Sequence, residues 1–228
     1  MMNSSIIYQI AVWIVPLIIA IVFHEVAHGL VARRLGDPTA QDAGRLTFNP
    51  VRHINPFGTV ILPLLLAISH APVFGWAKPV PVDYRRLRSP RRDMVLVALA
   101  GPGMNLLLAL IGTAILAVTI SLSGGARQGA ALLVAANALN FVLINIFLGV
   151  FNLLPVPPFD GGHVVEGLLP RTLAPRYRSI GRYALLVFVI LLLVLPAISP
   201  NLNVVGRVVS PLVDYIARGL LGTFGIAL

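Results

Sequence analysis

The sequence predicts an all-α integral membrane protein: one polytopic domain over residues 1–228, with five to six transmembrane or re-entrant helices and short strand or loop segments between the first two. Three observations predict it. Hydrophobic residues make up 57% of the chain and charged residues 11%, against about 25% charged in ordinary soluble domains. So little charge cannot cover a water-facing surface. The apolar residues gather in long uncharged runs of the length a bilayer span needs. The 17 basic residues gather between those runs, where positive charge sets membrane orientation and meets anionic headgroups. The net charge of +9 is therefore assigned to the lipid bilayer and not to nucleic acid, since no basic amphipathic face collects it.

The first span is expected over residues 6–32. Arg33 and Arg34 close it, and Gly36-Asp37-Pro38 stops the helix. It lacks a basic leader and a small-residue cleavage site, so it reads as a retained helix and not a signal peptide. Residues 39–58 form a polar connector rich in Asn, Pro and Gly, with short strands. Residues 59–71 are apolar but too short for a hydrocarbon core of about 30 Å, so they dip in and return or lie among other helices. Residues 78–92 form a basic loop. Residues 94–122 and 129–154 are uncharged spans separated by a Gly124-Gly125 turn. A loop follows over 155–182, with Asp160 near its start. Residues 183–198 form a further span. Residues 204–228 form a last span or an interfacial helix with a thin polar stripe of Arg207, Asp214 and Arg218. The catalytic core covers about 6–168 and the C-terminal helices about 180–228. The positive-inside rule is met by one arrangement, with every basic cluster on the cytoplasmic side.

The chemistry is carried by His24-Glu25-Val26-Ala27-His28. In a helix, positions four apart share a face, so both imidazoles can reach one metal, with Glu25 beside them as a proton acceptor for an activated water. Glu25 and Glu166 are the chain's two glutamates, which makes a chance match rare. Ionisable groups at membrane depth are costly and mark function. His24 lies nine residues before Arg33, about 14 Å inside the basic end of the helix. A catalytic zinc site usually has three protein ligands and an open position. Without Cys, the third must come from His, Asp or Glu. Asp160 is the candidate. It follows Asn152-Leu153-Leu154-Pro155-Val156-Pro157-Pro158-Phe159, a stretch that the prolines hold extended, and it precedes two glycines. The competing reading is an Asp that caps the next helix.

These motifs resemble the site-2 protease family of intramembrane zinc metalloproteases. The likeness covers almost the whole chain. It includes Gly44-Arg45-Leu46-Thr47-Phe48-Asn49-Pro50, Pro56-Phe57-Gly58-Thr59, Gly75-Trp76-Ala77-Lys78-Pro79-Val80 and Ala100-Gly101-Pro102-Gly103-Met104-Asn105. It looks like a short, prokaryotic-type form with neither PDZ nor CBS domain. The resemblance implies a three-helix catalytic core made of the His24 helix, the Asn105 helix and the helix ending at Leu154. It implies one Zn2+ per chain held by His24, His28 and Asp160, with Glu25 as general base. It implies a multi-pass membrane protein that cuts transmembrane protein substrates. Two positions depart from the family pattern. His53-Ile54-Asn55-Pro56 stands where relatives commonly have His-Ile-Asp-Pro, and His163 follows Asp160-Gly161-Gly162. His163 reads as a residue beside the site and not a fourth ligand, which would close the open position.

Other polar residues are candidates for assistance. His53 is a candidate oxyanion stabiliser. Asn145 and Asn152, seven apart on one helix face, are candidates to bind the substrate backbone or the oxyanion, with interhelical hydrogen bonding as the competing role. Asn105 reads as packing glue between helices. Glu166 and His70 read as structural. Two other functions compete. A metal-ion transporter would need polar ligands across the bilayer, and the outer half of the first helix has only Tyr8 and Gln9. A catalytically inactive scaffold would not need Glu25 and a full set of ligands. Hydroxide chemistry at membrane depth needs water, which is expected to enter from the cytoplasmic side.

Overall fold

The computed structural model describes residues 6–61, 65, 68, 77–125, 128–203 and 205–227. The first helix, α1 (Ile6–Arg34), is apolar along its length and ends with Arg33 and Arg34, whose charge suits a helix C-terminus. It closes on Gly36 at φ 110°. There Gly36 N–H donates to Arg33 O at 3.1 Å and Asp37 N–H to Ala32 O at 2.9 Å, satisfying the last carbonyls.

The expected strands between the first two long helices do not form among the described residues. The connector is built from single turns: α2 (Thr39–Asp42), a 3-10 turn at Pro50–His53 and a π turn at Pro56–Ile61. The reason is local. Asn49 Oδ1 accepts from Val51 N–H at 3.0 Å, and Asn55 Oδ1 accepts from Phe57 and Gly58 N–H at 3.0 and 2.9 Å. Such side chains offer the backbone an alternative to a ladder. Residues 62–64, 66–67 and 69–76 lie outside the described residues, and with them most of the expected short apolar segment and His70.

Residues 77–83 run without regular structure and are tied down from three sides. Lys78 N–H donates to His53 O at 2.8 Å, Arg45 Nη2 to Lys78 O at 2.6 Å, and Asp83 N–H to the buried Asp37 carboxylate at 2.6 Å. Two long helices follow, α3 (Pro90–Leu122) and α4 (Gly129–Asn152). Shorter helices complete the chain: α5 (Asp160–Leu168), α6 (Ala174–Ile180), α7 (Ala184–Val189), α8 (Leu195–Ile198) and α9 (Ser210–Gly222).

Three described helices are long and apolar enough to cross a membrane: Val12–Arg34, Pro90–Leu122 and Gly129–Asn152. They pack on one another as a three-helix bundle. At most 44% of each apolar window is buried in the protein, so the remaining apolar surface, including Trp13, Leu107, Ile115 and Val118, needs lipid as its solvent. The two expected C-terminal spans are helical but broken into shorter pieces. Val209, Val213 and Ala217 of the last one pack into the same core as Val142, Ile146 and Val150 of α4.

A proline in a membrane helix frees a carbonyl that something else must satisfy. Pro16 lies inside α1 and has no N–H to give Val12 O. Asn140 of α4 supplies the donor, with Nδ2 at 2.8 Å from Val12 O. Asn140→Leu is therefore expected to lower stability in detergent by about 0.6 kcal/mol, and by no more than about 1.7 kcal/mol, read from reversible unfolding.

Candidate metal centre

The helical period brings His24 and His28 onto one face of α1, turned toward α3. Both rings are buried, at 7% and 9% exposure. Space for them exists because α3 carries Gly101 at the crossing. A Cβ there would fall on His28 Nε2 and Cε1 and on His24 Cε1.

Each ring is oriented by an oxygen on its far side. His24 Nδ1 lies 2.6 Å from Asn105 Oδ1, and His28 Nδ1 lies 2.7 Å from the Val97 carbonyl. Both oxygens accept, so both Nδ1 atoms donate. In the neutral rings the lone pairs then sit on Nε2. These two Nε2 atoms are 3.0 Å apart.

Asp160 completes the group. It is the first residue of α5, one position past the N-cap Phe159, and its carboxylate is turned toward the two imidazoles. Its Oδ2 lies 3.3 Å from His24 Nε2 and 3.4 Å from His28 Nε2. That oxygen is buried and has no hydrogen-bond partner.

The donor set fits a zinc ion on two grounds. Two lone pairs and a carboxylate oxygen converge within 4.8 Å of one another, an arrangement that repels itself unless a cation sits among them. Tetrahedral zinc with bonds of about 2.0–2.2 Å places ligand atoms about 3.3–3.6 Å apart; the two Nε2–Oδ2 separations, 3.3 and 3.4 Å, fall in that range, and the Nε2–Nε2 separation of 3.0 Å lies just short of it. Three protein ligands leave the fourth position open.

These residues line a cavity of about 950 Å³, shared with Glu25, Asn152 and His163. Glu25 Oε2 accepts a hydrogen bond of 2.7 Å from Val80 N–H. Val80 lies between Pro79 and Pro81, neither of which has an N–H to give. The rim is polar. Glu166 Oε1 accepts a hydrogen bond of 2.5 Å from Arg178 Nε and pairs with Arg178 Nη2 at 2.5 Å, and the guanidinium also lies 5.5 Å above the Tyr84 ring. The Glu166 carboxylate holds that guanidinium above its ordinary pKa.

The other candidates fall differently. Asn152 lines the cavity, with Nδ2 donating to Leu148 O at 2.9 Å. Asn145 is fully buried and faces Asn105, whose Nδ2 donates to Asn145 Oδ1 at 2.9 Å. His53 is not among the residues of the cavity wall; it is buried with Nε2 at 2.9 Å from Thr47 O. His163 lies on the wall, half exposed, with Nδ1 3.9 Å from Glu166 Oε2. The sequence reading missed three contributors: Asn105 as partner of His24, Gly101 as the space for both rings, and Val80 N–H as partner of Glu25. The signal for Asn105 was present, a polar side chain in an uncharged span one helical turn beyond Gly101.

The sequence pattern of Peptidase family M50 matches residues 12–136 and 125–195. The chain is 38% identical over 180 residues to the "Putative zinc metalloprotease YwhC" of Bacillus subtilis (strain 168), covering 78% of each protein. It is 30% identical over 200 residues to the "Putative zinc metalloprotease Rip2" of Mycolicibacterium smegmatis, covering 85% of this chain and 68% of the relative. The protein of the same name from Mycobacterium tuberculosis (strain ATCC 25618 / H37Rv) is 33% identical over 195 residues, covering 83% of this chain and 68% of the relative. No solved structure gives a significant match.

Proposed function

The chain belongs to peptidase family M50, the site-2 proteases, and from the premise that it is a membrane zinc metalloprotease we propose that it hydrolyses peptide bonds of transmembrane protein substrates within or near the bilayer. The observation that supports this most is the convergence of His24, His28 and Asp160 beside Glu25, at the inner part of a helix apolar enough to cross a membrane. In this reading His24, His28 and Asp160 hold the ion. Zinc, when bound, supplies a Lewis acid that polarises the scissile carbonyl and makes water a nucleophile at neutral pH.

The remaining work falls to the chain. Glu25 takes the proton of the attacking water and delivers it to the leaving amine. Val80 N–H holds one oxygen of that carboxylate, which keeps the base at a fixed place beside the imidazole face. Asn152, on the cavity wall, pairs with backbone groups of the substrate. Those groups need partners because a peptide bond in a helix is shielded, so the substrate must unwind locally and its freed N–H and C=O groups must be satisfied. The cavity of about 950 Å³ is at the upper end of the size range of small-molecule pockets, room for a short unwound stretch. The basic residues near its rim, Arg85 and Arg178, support a mouth on the cytoplasmic side by the positive-inside rule, with water entering from that side.

The test is reconstitution of the purified chain in lipid vesicles with a single-span protein substrate. Cleavage is expected, with one zinc per chain. A strong chelator is expected to stop it, and added Zn2+ to restore it. Absence of cleavage by zinc-loaded protein, or cleavage that survives complete zinc removal, overturns the proposal. Zinc flux across the vesicles without cleavage replaces it with transport.

A further inference from the structure

A line of buried hydrogen bonds runs from the backbone of α4 across α3 to the rim of the metal site. Its direction is set at the far end. The Phe141 carbonyl can only accept, and Asn145 Nδ2 donates to it at 2.8 Å. That turns Asn145 Oδ1 toward Asn105, which must answer with its amino group, at 2.9 Å. The same amino group reaches 3.5 Å from the Ala20 carbonyl of α1. Asn105 Oδ1 is thereby left facing His24 Nδ1 at 2.6 Å. An amide with both ends committed cannot flip without exchanging two good contacts for two repulsive ones. Both asparagines are at 0% exposure, so no solvent can make up for a reversal.

From this geometry we infer that Asn105 and Asn145 are positioning residues for the metal: the Phe141 carbonyl, read through two asparagine side chains, fixes the proton of His24 on Nδ1 and leaves the Nε2 lone pair to the ion. The inference rests on the zinc reading above. It gives Asn145 a role different from substrate binding and Asn105 one beyond packing. His28 needs no such line, because the Val97 carbonyl reaches its Nδ1 directly. The partner on the outer nitrogen of a metal-ligating imidazole sets its tautomer and basicity, and loss of that partner typically costs 10–100-fold in metal affinity.

The test measures Zn2+ affinity of the purified full chain by competition with a chromophoric chelator. Asn105→Leu is expected to weaken Zn2+ binding about 10–100-fold. Asn105→Asp, which keeps an acceptor opposite His24 Nδ1, is expected to recover most of it. Asn145→Leu weakens binding less, and adding it to Asn105→Leu has no further effect, because the two act in series. Asn140→Leu is the control. It removes a different interhelical Asn contact, from Asn140 of α4 to Val12 O of α1, outside the line. It is expected to keep wild-type Zn2+ affinity. Equal loss in Asn140→Leu and Asn105→Leu reduces the asparagines to packing and overturns the inference, as does full Zn2+ affinity in Asn105→Leu.

Should Asn105→Leu not fold, the wild-type protein decides the question. Nitrogen-15 NMR of metal-free, histidine-labelled protein is expected to find His24 protonated on Nδ1. Protonation on Nε2 overturns the inference. If the wild-type chain itself binds no Zn2+, the metal reading fails instead, and the two failures are thereby told apart.

Discussion

Glu25→Gln is expected to keep its zinc and to lose cleavage about 100- to 10,000-fold, the range for removal of a general acid–base group. The substitution is close to isosteric, and the amide oxygen can still accept the hydrogen bond that Val80 N–H now gives Glu25 at 2.7 Å. The shape of the site is thus retained while the side chain can no longer take up a proton. Asp160→Ala provides the contrast. It removes the one ligand that does not come from α1 and leaves two Nε2 atoms 3.0 Å apart with no anion opposite, so zinc and activity are both expected to go. Measuring bound zinc by atomic emission alongside cleavage of a single-span substrate separates the two. Loss of zinc in Glu25→Gln would move that residue from proton transfer to ligation. Activity above one tenth of wild type with zinc in place would remove Glu25 from the reaction.

Gly101→Ala is expected to abolish zinc binding although it adds only one methyl group and replaces no ligand. The added Cβ would coincide with ring atoms of both His24 and His28, and those atoms belong to rigid rings packed between helices. The rings must turn out of register with Asp160, or α3 must move away from α1. Overpacking of a dense core typically costs 1–3 kcal/mol. The helix itself is not weakened, since Ala is the better helix former by about 0.8–1.0 kcal/mol. Gly103→Ala is the matched control. It lies two residues away in the same helix, and a Cβ there meets nothing within 4 Å. It is expected to leave zinc content and cleavage unchanged. Equal zinc content in the Gly101→Ala and Gly103→Ala proteins would show that the site accommodates the methyl and that the close approach is not needed.

Much of this architecture was legible before any coordinates, and the reason is periodicity. Apolar runs long enough to cross a bilayer predicted α1, α3 and α4, and the four-residue spacing of His24 and His28 predicted a shared face. The approach of Asp160 to that face also came from local cues, the proline-stiffened stretch ahead of it and the glycines after it. What stayed hidden depends on how helices are rotated about their axes. Whether Asn105 points at His24 or elsewhere turns on the azimuth of α3 against α1, which the pattern of an almost wholly apolar helix does not specify. Val80 N–H was invisible for a related reason. A backbone donor leaves no side-chain signature, and only the fold brings residue 80 to residue 25. The expected strands after α1 failed on local chemistry: Asn49 and Asn55 close turns with their own side chains. His53 was singled out as a polar residue in a loop, but its ring is held against Thr47 O, a role that spacing alone does not distinguish from one at a reaction centre.

The gap along the chain between His24 and Asp160 has a consequence for biosynthesis. More than a hundred residues separate them, and both remaining long helices, α3 and α4, are made in that interval. A nascent polypeptide can therefore insert its first three spans carrying the two imidazoles but no carboxylate opposite them. The group of His24, His28 and Asp160 comes together only when the turn beyond the third span folds back, so a chain still being made cannot bind an ion through all three residues before α5 has formed.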